Sequence, residues 1–198
     1  MNAAVIVENR LNDKDLAAVV KRHKDFLSND WCIIPLKANI QSPADYNTFI
    51  TSVRFWEPLT EFNRVLIFQH DSGLLRTGIE EFMEYDYVGA PWKKEAPWAR
   101  KDRAGGNDGL SLRCPKKSLD LIRESGYHPR HGNEDVWFTH NLEKVGGVVA
   151  PYEVCKRFSV ETEYQLGTLG YHAIDKHLSP KECEQIFSQY GSFNTKTF

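Results

Sequence analysis

Only four cysteines occur in the 198 residues, and Cys32, Cys114, Cys155 and Cys183 stand far apart with no Cys-x-x-Cys pair. That spacing speaks against a zinc knuckle or a disulfide framework and reads as free thiols in a reducing compartment. Charge of one sign is equally lacking. The 25 basic and 27 acidic residues leave a formal charge of −2, which gives no support to nucleic-acid binding through overall charge. No apolar run approaches the roughly 18 residues of a membrane span, so no integral membrane segment is expected. The first ten residues carry no charged leader followed by a long apolar stretch. The phosphate-cradling signatures G-x-G-x-x-G and G-x-x-x-x-G-K-[ST] are both missing. Repeats, low-complexity tracts and linkers are missing too. Residues 1–198 therefore read as one domain, expected to be cytoplasmic.

What is present is a regular α/β pattern. Ala3 to Val7 is a continuous apolar run that ends in Glu8-Asn9-Arg10, the signature of a buried parallel strand opening onto a cleft. Leu16, Val19, Val20, His23, Phe26 and Leu27 recur at helical spacing, and Cys32 to Leu36 reads as a second strand. Ser42-Pro43 is a helix start, followed by Tyr46, Phe49, Ile50, Val53 and either Trp56 or Glu57 on one face. Val65 to Phe68 is a third strand, again turning polar at Gln69-His70-Asp71-Ser72. This β-α-β-α-β order implies a mixed, mostly parallel sheet flanked by helices, with its strand ends on one edge. Farther on, the pattern predicts helices over Ile79–Tyr85, Pro115–Ser125, Glu134–Lys144 and Pro180–Phe187, and strands at Tyr87–Gly89, Leu110–Arg113 and Val148–Ala150.

Three stretches carry candidate chemistry. Asp71, just past a buried strand, suits a divalent cation, which prefers oxygen ligands, or equally an Asp-Ser-Gly turn. Gly105-Gly106-Asn107-Asp108-Gly109 is either a hairpin turn or a segment where backbone approaches a ligand. The preceding Trp92 to Arg103 holds five basic residues, two acids and Trp98, and reads as a substrate lid or as a solvated loop. Glu134-Asp135 opens a helix, as a cap or as a general base beside a second acid. His172 is a weaker metal-ligand candidate.

Taken in order, these stretches resemble the DUF5672 family, glycosyltransferase-like proteins of the GT-A-like, Rossmann-related fold. The matching pieces run from Val5-Ile6-Val7-Glu8-Asn9-Arg10 through Phe55-Trp56, Val65 to Ser72 and Tyr85 to Trp92. They continue through Gly105 to Arg113, Glu134 to Phe138 and Phe158 to Glu161. The resemblance implies transfer of a sugar from a nucleotide-sugar, most commonly a UDP-sugar, to an acceptor hydroxyl on a glycan or glycoconjugate. It implies Mn²⁺ or Mg²⁺ held by Asp71 and His172, although Gln69 stands where the first carboxylate of an Asp-x-Asp would be. Glu8, Arg10, Gln69 and His70 would lie with Asp71 along the donor. Trp92, Gly105, Gly106, Asn107 and Asp108 would lie between donor sugar and acceptor. In the inverting mechanism so implied, Asp135 takes the acceptor proton and Glu134 orients the acceptor. Lys93, Lys94, Arg100, Lys101 and Arg103 leave an anionic acceptor open, nucleic acid included. The incomplete Asp-x-Asp keeps a rival in play, a binding module that has lost turnover. The missing glycine-rich phosphate loop weighs against a nucleotidyltransferase.

Overall fold

The structure is a computed structural model that describes residues 1–8 and 11–189. Strand β1 (Asn2–Val7) leads into helix α1 (Asp13–Lys24), then β2 (Trp31–Leu36), α2 (Pro43–Ile50), the single turn α3 (Val53–Trp56) and β3 (Val65–Phe68). The helix starts follow from local chemistry. Asn12 accepts a hydrogen bond from the Asp15 amide, and Ser42 from that of Asp45 with Pro43 in the first turn. β1 pairs in parallel with β2 and β3, as the β-α-β-α-β pattern requires.

The chain then reverses its habit. β4 (Ser72–Leu74) leaves the sheet, and β5 (Tyr87–Ala90) and β6 (Asn107–Arg113) return to it with β6 antiparallel to both neighbours. The five-stranded order is β2-β1-β3-β6-β5. Because β6 runs backwards, its first residues lie at the same edge as the last residues of β1 and β3. Val88 pairs with Leu112 but Ala90 with Asn107, so β5 has only Gly89 where β6 carries residues 108–111. That bulge is packed backbone to backbone. Gly106 has φ +97°, and a side chain at Gly89 or Gly106 would run into the Asn107 or Ala90 carbonyl.

Helices α4 (Pro115–Ser125), α5 (Glu134–Asn141), α6 (Tyr152–Phe158) and α7 (Pro180–Ser188) complete the layers. A second sheet, β4-β8-β7, joins β4 to β7 (Ser159–Val160) and β8 (Gly170–His172). Both faces of the large sheet are covered. Val5, Val65 and Ile67 meet Ile50, Trp56 and Phe138 on one side, while Ile6, Leu66 and Phe68 meet Val19, Phe82 and Phe158 on the other. This two-sided burial is why β1 and β3 read as unbroken apolar runs.

Three expected elements differ. Val148–Ala150 is no strand but one parallel bridge from Val149 to Tyr87, because Pro151 follows at once and α6 begins. The expected helix to Lys144 ends at Asn141 and tightens into a 3₁₀ turn, Leu142–Val145, closed by left-handed Gly146. The Ile79–Tyr85 segment is a 3₁₀ turn over Ile79–Phe82. No described helix is long and apolar enough to cross a membrane.

Candidate active site

At the shared edge, the ends of β1 and β3, the start of β6 and the start of α5 enclose a cleft of about 320 Å³. Glu8, Tyr46, Gln69, Asp108, Glu134 and Asp135 line it. Five of the residues singled out in the sequence are thereby brought together. Arg10 lies outside the described residues.

Glu134 is held from behind. Arg113, at the far end of β6, reaches it through two hydrogen bonds of 2.8 and 3.0 Å, and neither side chain is more than 1% exposed. The guanidinium lies between the rings of Tyr87 and Phe138 and donates to Ser111 Oγ at 3.0 Å. Burial opposes the charge on Glu134, but the Arg113 guanidinium outweighs it and holds the carboxyl below its ordinary range. Arg113 thus engages both oxygens of Glu134, while the residue still lines the cleft.

Asp135 differs from its neighbour. Burial, and then the Glu134 charge, push its pKa from 3.8 up to about 7. Its Oδ1 accepts from the Val136 amide at 2.7 Å, which orients the carboxyl at the helix start. Burial and the adjacent Glu134 drive Asp108 well above the ordinary carboxylate range.

Glu8 connects the cleft to a second cluster. Its Oε2 lies 3.3 Å from His70 Nδ1, itself 4.0 Å from Asp71 Oδ1. Asp71 Oδ1 faces His172 Nε2 at 3.3 Å, and His172 Nδ1 faces Glu161 Oε2 at 3.1 Å. The Asp71, His172 and Glu161 atoms are buried and close, without a hydrogen bond of regular geometry among the described residues. Lys176 Nζ lies 2.6 Å from Asp71 Oδ2. Burial opposes ionisation of Asp71, yet His172 and Lys176 keep its carboxyl far below the usual range. Burial likewise opposes charge on His172, but Asp71 and Glu161 raise it to about 10. The imidazole fits because residue 109 is glycine; a β-carbon there would overlap the ring.

The donor set can be tested against a hard cation. Neighbouring ligands about 2.1 Å from an octahedral ion stand roughly 3 Å apart, close to the Asp71–His172 separation of 3.3 Å. Glu161 sits where a carboxylate fixes the other ring nitrogen of a ligating histidine. Among the described residues no group of three or more His, Cys, Asp or Glu side chains forms a metal cage. Asp71 and His172 are thus spaced so that the two together could supply two ligands to such an ion.

Other expected site residues pack away from the cleft. Trp92 is 2% exposed and donates through Nε1 to Asn107 Oδ1. Gly105, at φ +96°, packs on Thr139 and Val149, and Gly106 on Ala90. The glycine pair serves the β5–β6 bulge, and Trp92, Gly105, Gly106 and Asn107 are not among the residues lining the cleft. Two of the five bases between Trp92 and Arg103 are used internally: Arg103 reaches Trp92 O and Glu163, and Arg100 reaches Thr139 O and Glu143. They staple this segment to α5 and to the chain after β7, which does not suit a loose lid. Trp98 remains 53% exposed.

Sequence reasoning missed Arg113, Tyr46, Glu161 and Lys176 as site residues. Arg113 and Glu161 lay inside the motif stretches, but nothing local marked them as partners of Glu134 and His172.

This arrangement is a GT-A type fold. The structure of a glycosyltransferase involved in the glycosylation of the major capsid of PBCV-1 is similar over 96% of this chain and 100% of that one, at 10% identity and a TM-score of 0.57. The galactosyltransferase LgtC, in complex with donor and acceptor sugar analogs, aligns over 98% of each chain at 11% identity, with a TM-score of 0.49. None of the curated proteins matches the chain. Residues 32–173 match the family described as protein of unknown function, DUF5672, and the chain belongs to that family.

Proposed function

We propose that the protein is a glycosyltransferase that moves a sugar from a nucleotide-sugar to an acceptor hydroxyl with inversion. One observation carries this reading: Asp135 lines a polar cleft whose Glu8 leads, through His70, to the paired side chains of Asp71 and His172. Asp135 is the general base. An acid poised near pH 7 is ionised often enough to take a hydroxyl proton and basic enough to hold it. Glu134, fixed on Arg113, is a positioning residue that supports α5 and raises the proton affinity of Asp135.

Asp71 and His172 would hold Mn²⁺ or Mg²⁺, which when bound offsets charge on a leaving diphosphate. Gln69 supplies a neutral polar group to the cleft, and Lys176 contributes a positive charge at Asp71 whether or not an ion is present. That lysine is also what favours the second reading, a nucleotide- or glycan-binding module without turnover, since it already neutralises Asp71.

The test is release of nucleoside diphosphate from a panel of UDP-, GDP-, CDP-, dTDP- and ADP-sugars, with and without Mn²⁺. Release from one donor class, lost in Asp135→Asn, supports the enzyme. Nucleotide binding with no release in the wild type and no effect of Asp135→Asn moves the binding module ahead.

A further inference from the structure

Asp71 and His172 each follow, in the chain, a residue bonded to Arg22. Arg22 stands in the last turn of α1, where a basic side chain commonly stays at the helix end to complement its dipole. Here it turns across toward the site. Its Nη2 donates to His70 O at 2.8 Å and its Nη1 to the Tyr171 hydroxyl at 3.4 Å. One guanidinium thus joins the segment that carries Asp71 to the strand that carries His172.

The loop around Asp71 has three successive carbonyls, and each is taken by a different donor. Gln69 O accepts from Ser72 Oγ at 2.7 Å, His70 O from Arg22, and Asp71 O from the Ala173 amide at 3.0 Å. The first bond is local to the turn, and the third ties the loop to the residue after β8. The Arg22 bond is the one with a charged donor, and it anchors the loop to a helix. On the other side, Tyr171 pairs with Gly73 across β4 and β8, next to the pairing of His172 with Ser72. A β-carbon at residue 73 would stand 2.7 Å from the Tyr171 ring, so the glycine leaves the phenol its place beside α1.

We infer that Arg22 is the clamp that sets the separation of Asp71 and His172. It is a positioning residue: it holds the backbone before Asp71 and the ring before His172 at once. The planar fork suits this task, because its two donors stand at a fixed spacing that a lysine ammonium does not offer. Its use in holding a cation rests on the glycosyltransferase reading; the clamp itself does not.

The experiment is amide hydrogen exchange of the full chain followed by NMR, without ligand, in the wild type, Arg22→Met, Arg22→Lys and Tyr171→Phe. In Arg22→Met the amides of Ser72 and Ala173 should exchange about tenfold faster, the scale of one lost hydrogen bond. Those of Leu66 and Ile67 in β3 should keep their rates, because the opening is local. Arg22→Lys and Tyr171→Phe each leave one of the two contacts and should fall in between. Unchanged rates at Ser72 and Ala173 in Arg22→Met overturn the inference. So does an equal rise in β3, which would report only a general loss of stability, or an Arg22→Lys chain that matches the wild type. A second readout is uptake of Mn²⁺ alone, followed by the electron paramagnetic resonance of the free ion. Arg22→Met should weaken it about tenfold or more, as loss of an outer support for metal ligands does. Equal uptake by the wild type and Arg22→Met overturns the positioning role. If the wild type takes up no Mn²⁺, the cation reading fails while the exchange rates still decide the clamp.

Discussion

The imidazole of His172 occupies the space that a side chain at Gly109 would fill. β6 and β8 come from different sheets, and this contact sets how closely they approach at the edge of the cleft. The glycine is required by space alone.

Gly109→Ala should therefore force His172 out of line with Asp71 and Glu161. Overpacking of this kind costs about 1–3 kcal/mol, read as a lower urea midpoint. His172→Ala in the same chain should return most of the loss. Additive effects of the two substitutions would show that they do not compete for one volume.

Removing Arg113 should be among the most damaging single changes. Arg113→Met leaves Glu134 buried without its counter-charge, at a cost of about 3–5 kcal/mol. Replacing both partners, Arg113→Met with Glu134→Leu, should recover much of the stability, since the isolated charge disappears. Equilibrium unfolding of the two variants checks this. A loss as large in the double variant as in Arg113→Met alone would mean that packing of the guanidinium on Tyr87 and Phe138 matters more than its charge.

Activity should rise through pH 7 as Asp135 ionises, and Asp135→Asn should lower turnover about 10²–10⁴-fold. Stability runs the other way. The folded pKa of about 7 stands above the ordinary 3.8, so the folded state holds a proton that the unfolded chain has released. The contribution of this group is full below pH 4 and is lost as pH rises to about 7. Asp135→Asn should flatten that part of the stability profile.

His23 predicts the opposite slope in the acid range. It is wholly buried, with Nδ1 2.9 Å from Val19 O and Nε2 3.2 Å from Ser72 Oγ. Burial lowers its pKa from 6.5 to about 3. The unfolded chain then binds the extra proton, so stability falls as pH drops from 6.5 toward 3, by about 1.4 kcal/mol per pH unit for one proton. Urea midpoints of the wild type and His23→Gln between pH 4 and 7 test this. The variant should be less stable at pH 7 and show a shallower slope below it.

Much of the sheet was legible because burial on both faces leaves β1 from Ala3 onward, and all of β3, without a polar residue. The helix starts were legible because Ser42-Pro43 and Ser179-Pro180 state a cap and a first turn outright. The small sheet was not, since its strands of two or three residues are shorter than any period can show. Glu134-Asp135 stood out as an acidic pair at a helix start. Their division of labour did not, because it depends on Arg113, 21 residues away, which reads locally as the polar end of an alternating strand. The pairing of Asp71 with His172 came from family resemblance. No spacing rule brings residues a hundred positions apart to 3.3 Å, and that took the crossing of β4 with β8.

The bulge opposite Gly89 has a consequence for how this chain can change in length. Side chains on a strand alternate, so deleting one residue between Asn107 and Leu112 would turn Asp108 toward the wrong layer while leaving the rest of the sheet intact. A residue added between Lys93 and Ala99 meets no such phase requirement, because that stretch belongs to no ladder. Homologous chains should therefore vary in length before Arg100 and hold their count from Gly105 to Arg113.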